Sequence, residues 1–297
     1  AAIYLDAGIL WVTQDERGVV SSEPDYRLAF GQQVRFADNW RYVDGNRPAF
    51  GELDENGNAD IDNVAALMAS LLFHELAHAA DSIPPSRIAT LRPDETPYDI
   101  RFNRLSDDLA DEAPLVAFEL FGVANVLFGG AEPSAREARY TAADIGALFE
   151  PDGASDLYAY YTPREDFAML FEEAMMGIHY GFSRDVAFTS VPDAAVAEPR
   201  CADYRVGWGV RGRVSTPQVL RRAEQAVGAL LPERDYAADL AALPAPIAMD
   251  TRRDWCENLA LGTRPMAIPL QAAGAAPVTA ADRASVSGLG SRRVLHR

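Results

Sequence analysis

Two histidines four residues apart bracket a glutamate at His74-Glu75-Leu76-Ala77-His78. On a helix, positions i and i+4 share a face, so both imidazoles can reach one metal ion. Glu75 then stands beside that ion, where its carboxylate can take a proton from a bound water. The chain has only 4 histidines in 297 residues, so composition alone rarely produces this spacing around a glutamate. Zinc is the metal this pattern suits, and hydrolysis is the chemistry it serves. Without a metal, the same residues would be two surface histidines on an amphipathic helix.

The surrounding residues predict the helix that must hold the motif. Residues 63–81 contain no Pro or Gly, and Val64, Leu67, Met68, Leu71, Leu72 and Leu76 recur at helical intervals. That pattern predicts a largely buried helix, in which ring nitrogens need partners. Asp81, three residues past His78, is a candidate outer hydrogen-bond partner, or simply a polar helix end. Ser82 and Pro84-Pro85 stop the helix.

Two imidazoles leave a zinc site short of one protein ligand. The metzincin continuation is excluded, because Asp81 and Pro84 stand where it needs a glycine and a ligand. Glu95 lies at roughly the thermolysin-type spacing, but in the proline-flanked loop RPDETPYD. A more distant helix remains, and residues 156–176 (DLYAYYTPREDFAMLFEEAMM) supply one. Thr162 is placed to cap it, Pro163 to begin it, and Glu165 to sit in its acid-rich first turn. Phe167, Leu170, Phe171 and Ala174 form its apolar stripe.

With HExxH followed by Glu165-Asp166-Phe167-Ala168, the chain resembles the gluzincin metallopeptidases, in particular those like anthrax lethal factor and the Mlc titration factor A peptidases. The continuation from His74 to Asp81 is similar to that of the latter group. The resemblance implies an α+β, mainly helical zincin-like metallopeptidase fold. It also implies His74, His78 and Glu165 as zinc ligands, Glu75 as general base, and Tyr158, seven residues before Glu165, as a transition-state hydrogen-bond donor. Tyr160 and Tyr161 are rivals for that last role, and Glu172 or Glu173, then Glu112 or Glu119, for the third ligand. Met169 replaces the second glutamate of the family pattern, leaving an outer acidic contact to Glu172 or Glu173. The resemblance covers these two segments, and the long gap between them implies inserted structure around Asp107 to Phe128. The expected activity is zinc-dependent peptide hydrolysis on a peptide or protein substrate. The alternative is a latent or non-catalytic binding protein on the same fold, acting through a partner.

A hydrophobic share of 48% over 297 residues suffices for a sizeable core. We expect a metallopeptidase domain over residues 1–190, a helical and loop extension packed on it over 191–270, and a low-complexity tail over 271–297. The net charge of -17 argues against nucleic acid as a partner, and no apolar run is long enough to span a membrane. All 27 basic residues are arginine. Cys201 and Cys256 read as one disulfide of a periplasmic or secreted protein, with two thiols of a cytoplasmic one as the alternative. The opening AAIYLDAGILWV does not read as a signal peptide, since it lacks a basic segment and is interrupted by Asp6. Its Ala-Ala start suits a chain from which a signal has been removed.

Elsewhere, alternation in AIYLDAGILWV and VRFADNWRYVD predicts a small N-terminal β-sheet. The stretch Asp54 to Asp62 places an oxygen ligand at every second position, as a Ca2+ loop would, or forms an acidic turn capping the motif helix. Helices are expected near 107–128, 141–149, 164–181 and 216–230. RVGWGVRGRV reads as a turn before the last of these. That C-terminal region is a candidate surface for a protein partner. His179 is read as a packing or pocket residue, and His296 has no functional case.

Overall fold

In a computed structural model, which describes residues 3, 8, 10–20, 26–100, 104–192 and 200–261, the histidine motif lies on one uninterrupted helix. The described helices are α1 (Gln14–Val19), α2 (Ile61–Asp81), α3 (Pro85–Ile88), α4 (Pro97–Ile100), α5 (Leu105–Glu112), α6 (Phe118–Phe128), α7 (Ala142–Phe149), α8 (Pro163–Tyr180), α9 (Pro217–Leu230) and α10 (Ala237–Ala241). The strands are β1 (Phe36–Asp44), β2 (Arg47–Pro48), β3 (Ser183–Ser190), β4 (Val206–Arg211) and β5 (Ile247–Ala248). The fold is therefore mixed α+β with helix predominating. No described helix is long and apolar enough to cross a membrane.

The strands form one antiparallel sheet in the order β2-β1-β3-β4-β5. The expected strand in VRFADNWRYVD is present as β1, whereas most of AIYLDAGILWV lies outside the described residues. The sheet is not N-terminal, because β3, β4 and β5 come from the second half of the chain. RVGWGVRGRV reads as a turn in the sequence, whereas in the structure Val206–Arg211 is strand β4. Gly207 and Gly209 lie in β4 because a Cβ at either would fall 2.6 Å from Ala142 or Met249. Their close approach to neighbours, rather than chain reversal, is what requires glycine.

Helix α8 is the axis of the molecule. Every residue from Glu165 to Met176 is buried, so it is enclosed on all sides. Thr162 caps it by accepting the Glu165 N–H, Pro163 opens it, and Gly181 at φ 69 closes it through the left-handed region. Phe167, Leu170, Phe171 and Ala174 pack with Ala77 of α2, Leu109 of α5 and Val219, Ala223, Val227 and Leu230 of α9. Each large apolar side chain buried in such a seam contributes about 1.5–3 kcal/mol, enough to fix the axial position of α8 against α2. A second cluster, with Phe36, Val186, Phe188, Leu120, Ile145, Phe149 and Leu157, packs α6 and α7 onto the sheet.

The single helix expected at 107–128 is two, α5 and α6, separated by residues 113–117. Pro114 lies in that gap and cannot continue α5. The Val116 and Ala117 N–H groups instead donate to the Asp152 carboxylate, at 2.8 and 2.7 Å. The segment after residue 190 supplies α9, which packs on α8, and also β4 and β5 of the sheet. Cys201 and Cys256 are joined in a disulfide with a Cα–Cα separation of 5.7 Å. The expected tail, His296 included, lies outside the described residues.

Candidate metal centre

Where α2 crosses the start of α8, three ligand atoms converge. His74 Nε2 lies 3.0 Å from Glu165 Oε2, His78 Nε2 lies 3.2 Å from the same oxygen, and the two Nε2 atoms are 3.1 Å apart. Zinc bonds of about 2.0–2.1 Å in tetrahedral array would separate their donors by about 3.3 Å, close to what is found. Among the described residues, this is the group of three or more His, Cys, Asp or Glu side chains placed to share a metal. His74 and Glu165 are buried and His78 is half-buried.

The proton arrangement of this trio shows why a cation fits. His74 Nδ1 lies 3.3 Å from Glu172 Oε2, so the carboxylate favours a proton on Nδ1. The neutral ring then turns its Nε2 lone pair toward the Glu165 oxygen, setting two acceptors 3.0 Å apart. Protonating both Nε2 atoms satisfies Glu165 but faces two N–H groups at 3.1 Å. A divalent cation among the three removes both conflicts, and two neutral imidazoles with one carboxylate are a zinc donor set. Burial works to raise the Glu165 pKa, but where both rings carry their Nε2 protons the His74 and His78 hydrogen bonds outweigh it and hold the carboxyl well below the ordinary range.

Glu172 supplies the outer acidic contact that Met169 cannot. Its Oε2 faces His74, and its Oε1 accepts from the Tyr42 hydroxyl at 2.9 Å. It is thereby excluded as the third member of the trio, being on the Nδ1 side of the ring. Glu173 turns elsewhere, toward Arg184 Nε at 3.4 Å. Glu112 is exposed, Glu119 pairs with Arg136 and Glu95 accepts from the Arg92 backbone, so none of these approaches the trio. Asp81 accepts the backbone N–H and hydroxyl of Ser106, both at 2.8 Å, which ties the end of α2 to α5. It acts there as a helix-end anchor between two elements.

The three tyrosines before α8 separate clearly. Tyr158 lies beside the trio, its ring nearly parallel to that of His74 at a centroid distance of 6.3 Å. Tyr160 is buried and donates to Asp152 at 2.9 Å; burial raises its pKa. Tyr161 stacks on the outer side of Tyr158 and is 37% exposed. Glu75 follows His74 on α2, with Oε1 withdrawn from solvent. His179 is exposed and stacks on Phe73, consistent with packing.

The first turn of α8 is locked from behind. Asp166 is buried in a bidentate pair with Arg222 of α9, whose Nη1 is 2.9 Å from Asp166 Oδ1. Arg222 also donates to the Ala113 and Gly153 carbonyls, binding α9, the α5–α6 connection and the loop before α8 together. Residues sequence reasoning missed include Tyr42, Asp156, Arg184 and Arg222. Only their positions in the fold connect them to the site.

The acidic stretch from Asp54 to Asp62 forms a tight turn. Asp54 Oδ1 accepts the Asn56 and Asn58 N–H groups at 2.8 Å, and Asp60 caps α2 by accepting from Asp62 at 2.8 Å. These oxygens serve the local backbone. The chain matches no family model, and no curated protein and no solved structure is similar to it at a significant level.

Proposed function

We propose that this protein is a zinc-dependent peptidase. The observation that carries the reading is the meeting of His74, His78 and Glu165 across α2 and α8, with Glu75 between the two histidines on the same helix. His74, His78 and Glu165 would hold the ion, leaving an open fourth position. Zinc there supplies Lewis acidity, lowering the pKa of water toward neutrality and polarising a carbonyl oxygen. Glu75 takes the proton from the attacking water and returns it to the departing amine. Tyr158, whose ring lies beside that of His74, would donate a hydrogen bond to the developing oxyanion. Glu172 and Tyr42 hold the His74 ring in the tautomer that presents Nε2. A purely structural zinc site ordinarily closes all four positions with protein ligands and has no use for a general base.

The test is zinc content together with hydrolysis of a protein substrate such as casein, with and without chelator, for wild type and Glu75→Gln. We expect about one zinc per chain in both proteins. Chelator-sensitive hydrolysis should fall by orders of magnitude in the variant. Equal turnover by the two proteins would sink the mechanism, and zinc without hydrolysis in wild type would favour a latent or non-catalytic role.

A further inference from the structure

A run of aromatic rings leads outward from the metal centre. His74, Tyr158 and Tyr161 form a near-parallel stack, with centroids 6.3 and 6.0 Å apart and interplanar angles of 23° and 17°. Phe128, at the end of α6, packs edge-on to Tyr158 at 4.8 Å and also reaches Tyr161 at 6.4 Å. From there the exposed face of α6 continues through Asn125 to Phe121 and Phe118, since positions 118, 121, 125 and 128 fall within one arc of the helix. Phe121 meets Tyr160 edge-on at 5.3 Å and stacks with Phe118 at 6.4 Å. Yet these two side chains are 38% and 75% exposed.

Single exposed phenylalanines are ordinary, but rings in mutual contact on one face and continuous with a catalytic centre form a recognition surface. Helix α6 turns Leu120, Val123 and Ala124 into the core and packs Phe128 partly against it, while Phe118 and Phe121 keep much of their surface outside. Ten residues of helix span about 15 Å, the reach of four or five residues of extended peptide at about 3.3 Å each.

We propose that Tyr161, Phe128, Phe121 and Phe118 form the substrate-binding wall on one side of the bond to be cleaved, selecting an extended peptide with large apolar or aromatic side chains. This rests on the peptidase reading and names the substrate class of that same site. The rings offer faces and edges for such side chains and no charge partner for acidic ones. Because Tyr161 and Phe128 touch Tyr158, an apolar side chain seated on them holds the scissile carbonyl near the tyrosine.

The experiment uses the zinc-loaded full chain and a positional set of internally quenched peptides bearing Ala, Leu, Phe, Glu or Arg at each place. Binding of the same set to zinc-loaded Glu75→Gln protein is followed by fluorescence anisotropy. Wild type should prefer Phe or Leu over Glu by about tenfold or more at positions on one side of the bond. Tyr161→Ala and the exposed pair Phe118→Ser and Phe121→Ser should reduce that preference to about twofold, through KM, at unchanged zinc content. The exposed pair guards against misfolding, since neither side chain is in the core. Hydrolysis without apolar preference, or a preference untouched by these substitutions, overturns the wall and leaves the peptidase reading standing. Tight binding of apolar peptides that depends on the stripe, with no hydrolysis by wild type, supports the wall and overturns the peptidase reading. Neither binding nor hydrolysis overturns both.

Discussion

Glu165 and Glu173 stand eight residues apart on α8, both buried, and their carboxyls are driven in opposite directions. Burial raises both. At Glu165 the two imidazoles more than offset it, and the group stays ionised. At Glu173 burial prevails and pushes the carboxyl up to about 8. The difference lies in how many acids share each cation. Arg184 is shared by Asp156, Glu172 at 3.9 Å and Glu173 at 3.4 Å while stacking over Trp40 at 4.3 Å, and Arg213 adds a weaker pull on Glu173. Asp38 adds a further carboxyl, raised to about 8 by burial and then by repulsion from Asp156. Two guanidinium groups, one of them acting at longer range, do not neutralise four buried acids, so protons complete the balance. One end of α8 therefore keeps its carboxylate ionised and the other retains protons, and the partners each acid finds, rather than depth, decide which.

The most severe way to break this contrast is to remove each glutamate in turn. Glu165→Ala should abolish stoichiometric zinc, with a loss of affinity beyond the 10–100-fold typical of an outer partner. Glu173→Gln should leave zinc content at the wild-type level. Competition with a chromophoric chelator measures both, and equal zinc loss in the two variants would mean the contrast is not functional. Next in size is Arg184→Met, which strips the inner cluster of the guanidinium that pairs with it directly. Removing one member of a buried ion network costs about 3–5 kcal/mol, read as a lowered denaturation midpoint with unchanged slope. Wild-type stability in that variant would show that the acids were already neutral without Arg184.

These two regions were not equally legible in the sequence. The trio was, because His74 and His78 carry their spacing within one helix and Glu165 sits in a capped first turn with a recognisable continuation. Tyr158 depended on a family offset, and only the stacking on His74 distinguishes it from Tyr160 and Tyr161. The inner cluster was not legible. It gathers Asp38 and Tyr42 from β1, Asp156 from the loop before α8, two glutamates from α8 and Arg184 from β3, and Tyr42 lies 130 residues from its partner Glu172. No local period records such a meeting. Pairing of β1 with β3 creates it. The break between α5 and α6 is different in kind, since Pro114, which cannot continue α5, is visible in the sequence. The glycines of β4 act otherwise, Gly207 admitting close approach of Ala142 in α7 and Gly209 that of Met249.

Glu172 joins the two regions, and its substitution sharpens the comparison. Glu172→Gln keeps an oxygen near His74 Nδ1 but removes the charge that favours the proton there. Zinc affinity should fall about 10–100-fold, while Glu172→Ala, which also leaves the Tyr42 hydroxyl without this acceptor, should fall at least as far and lose stability. Unchanged affinity in both would assign Glu172 to the proton-retaining cluster alone.

The smallest effect concerns pH. Asp38 and Glu173 are raised to about 8 from ordinary values of 3.8 and 4.5. Across the interval from pH about 4.5 to 8 the folded state binds protons there that the unfolded state has released. Their stabilising contribution is therefore full below the unfolded values and declines as pH rises through the folded ones. Glu165 works in the opposite sense, but its contribution is lost only as pH falls below the ordinary carboxylate range, outside this interval. With chelator present to silence the metal, thermal midpoints should drop by on the order of a few degrees from pH 5 to pH 8. Asp38→Asn combined with Glu173→Gln, which fixes both groups in neutral form, should flatten that decline. A variant as steep as wild type would place the protons elsewhere and dissolve the distinction between the two ends of α8.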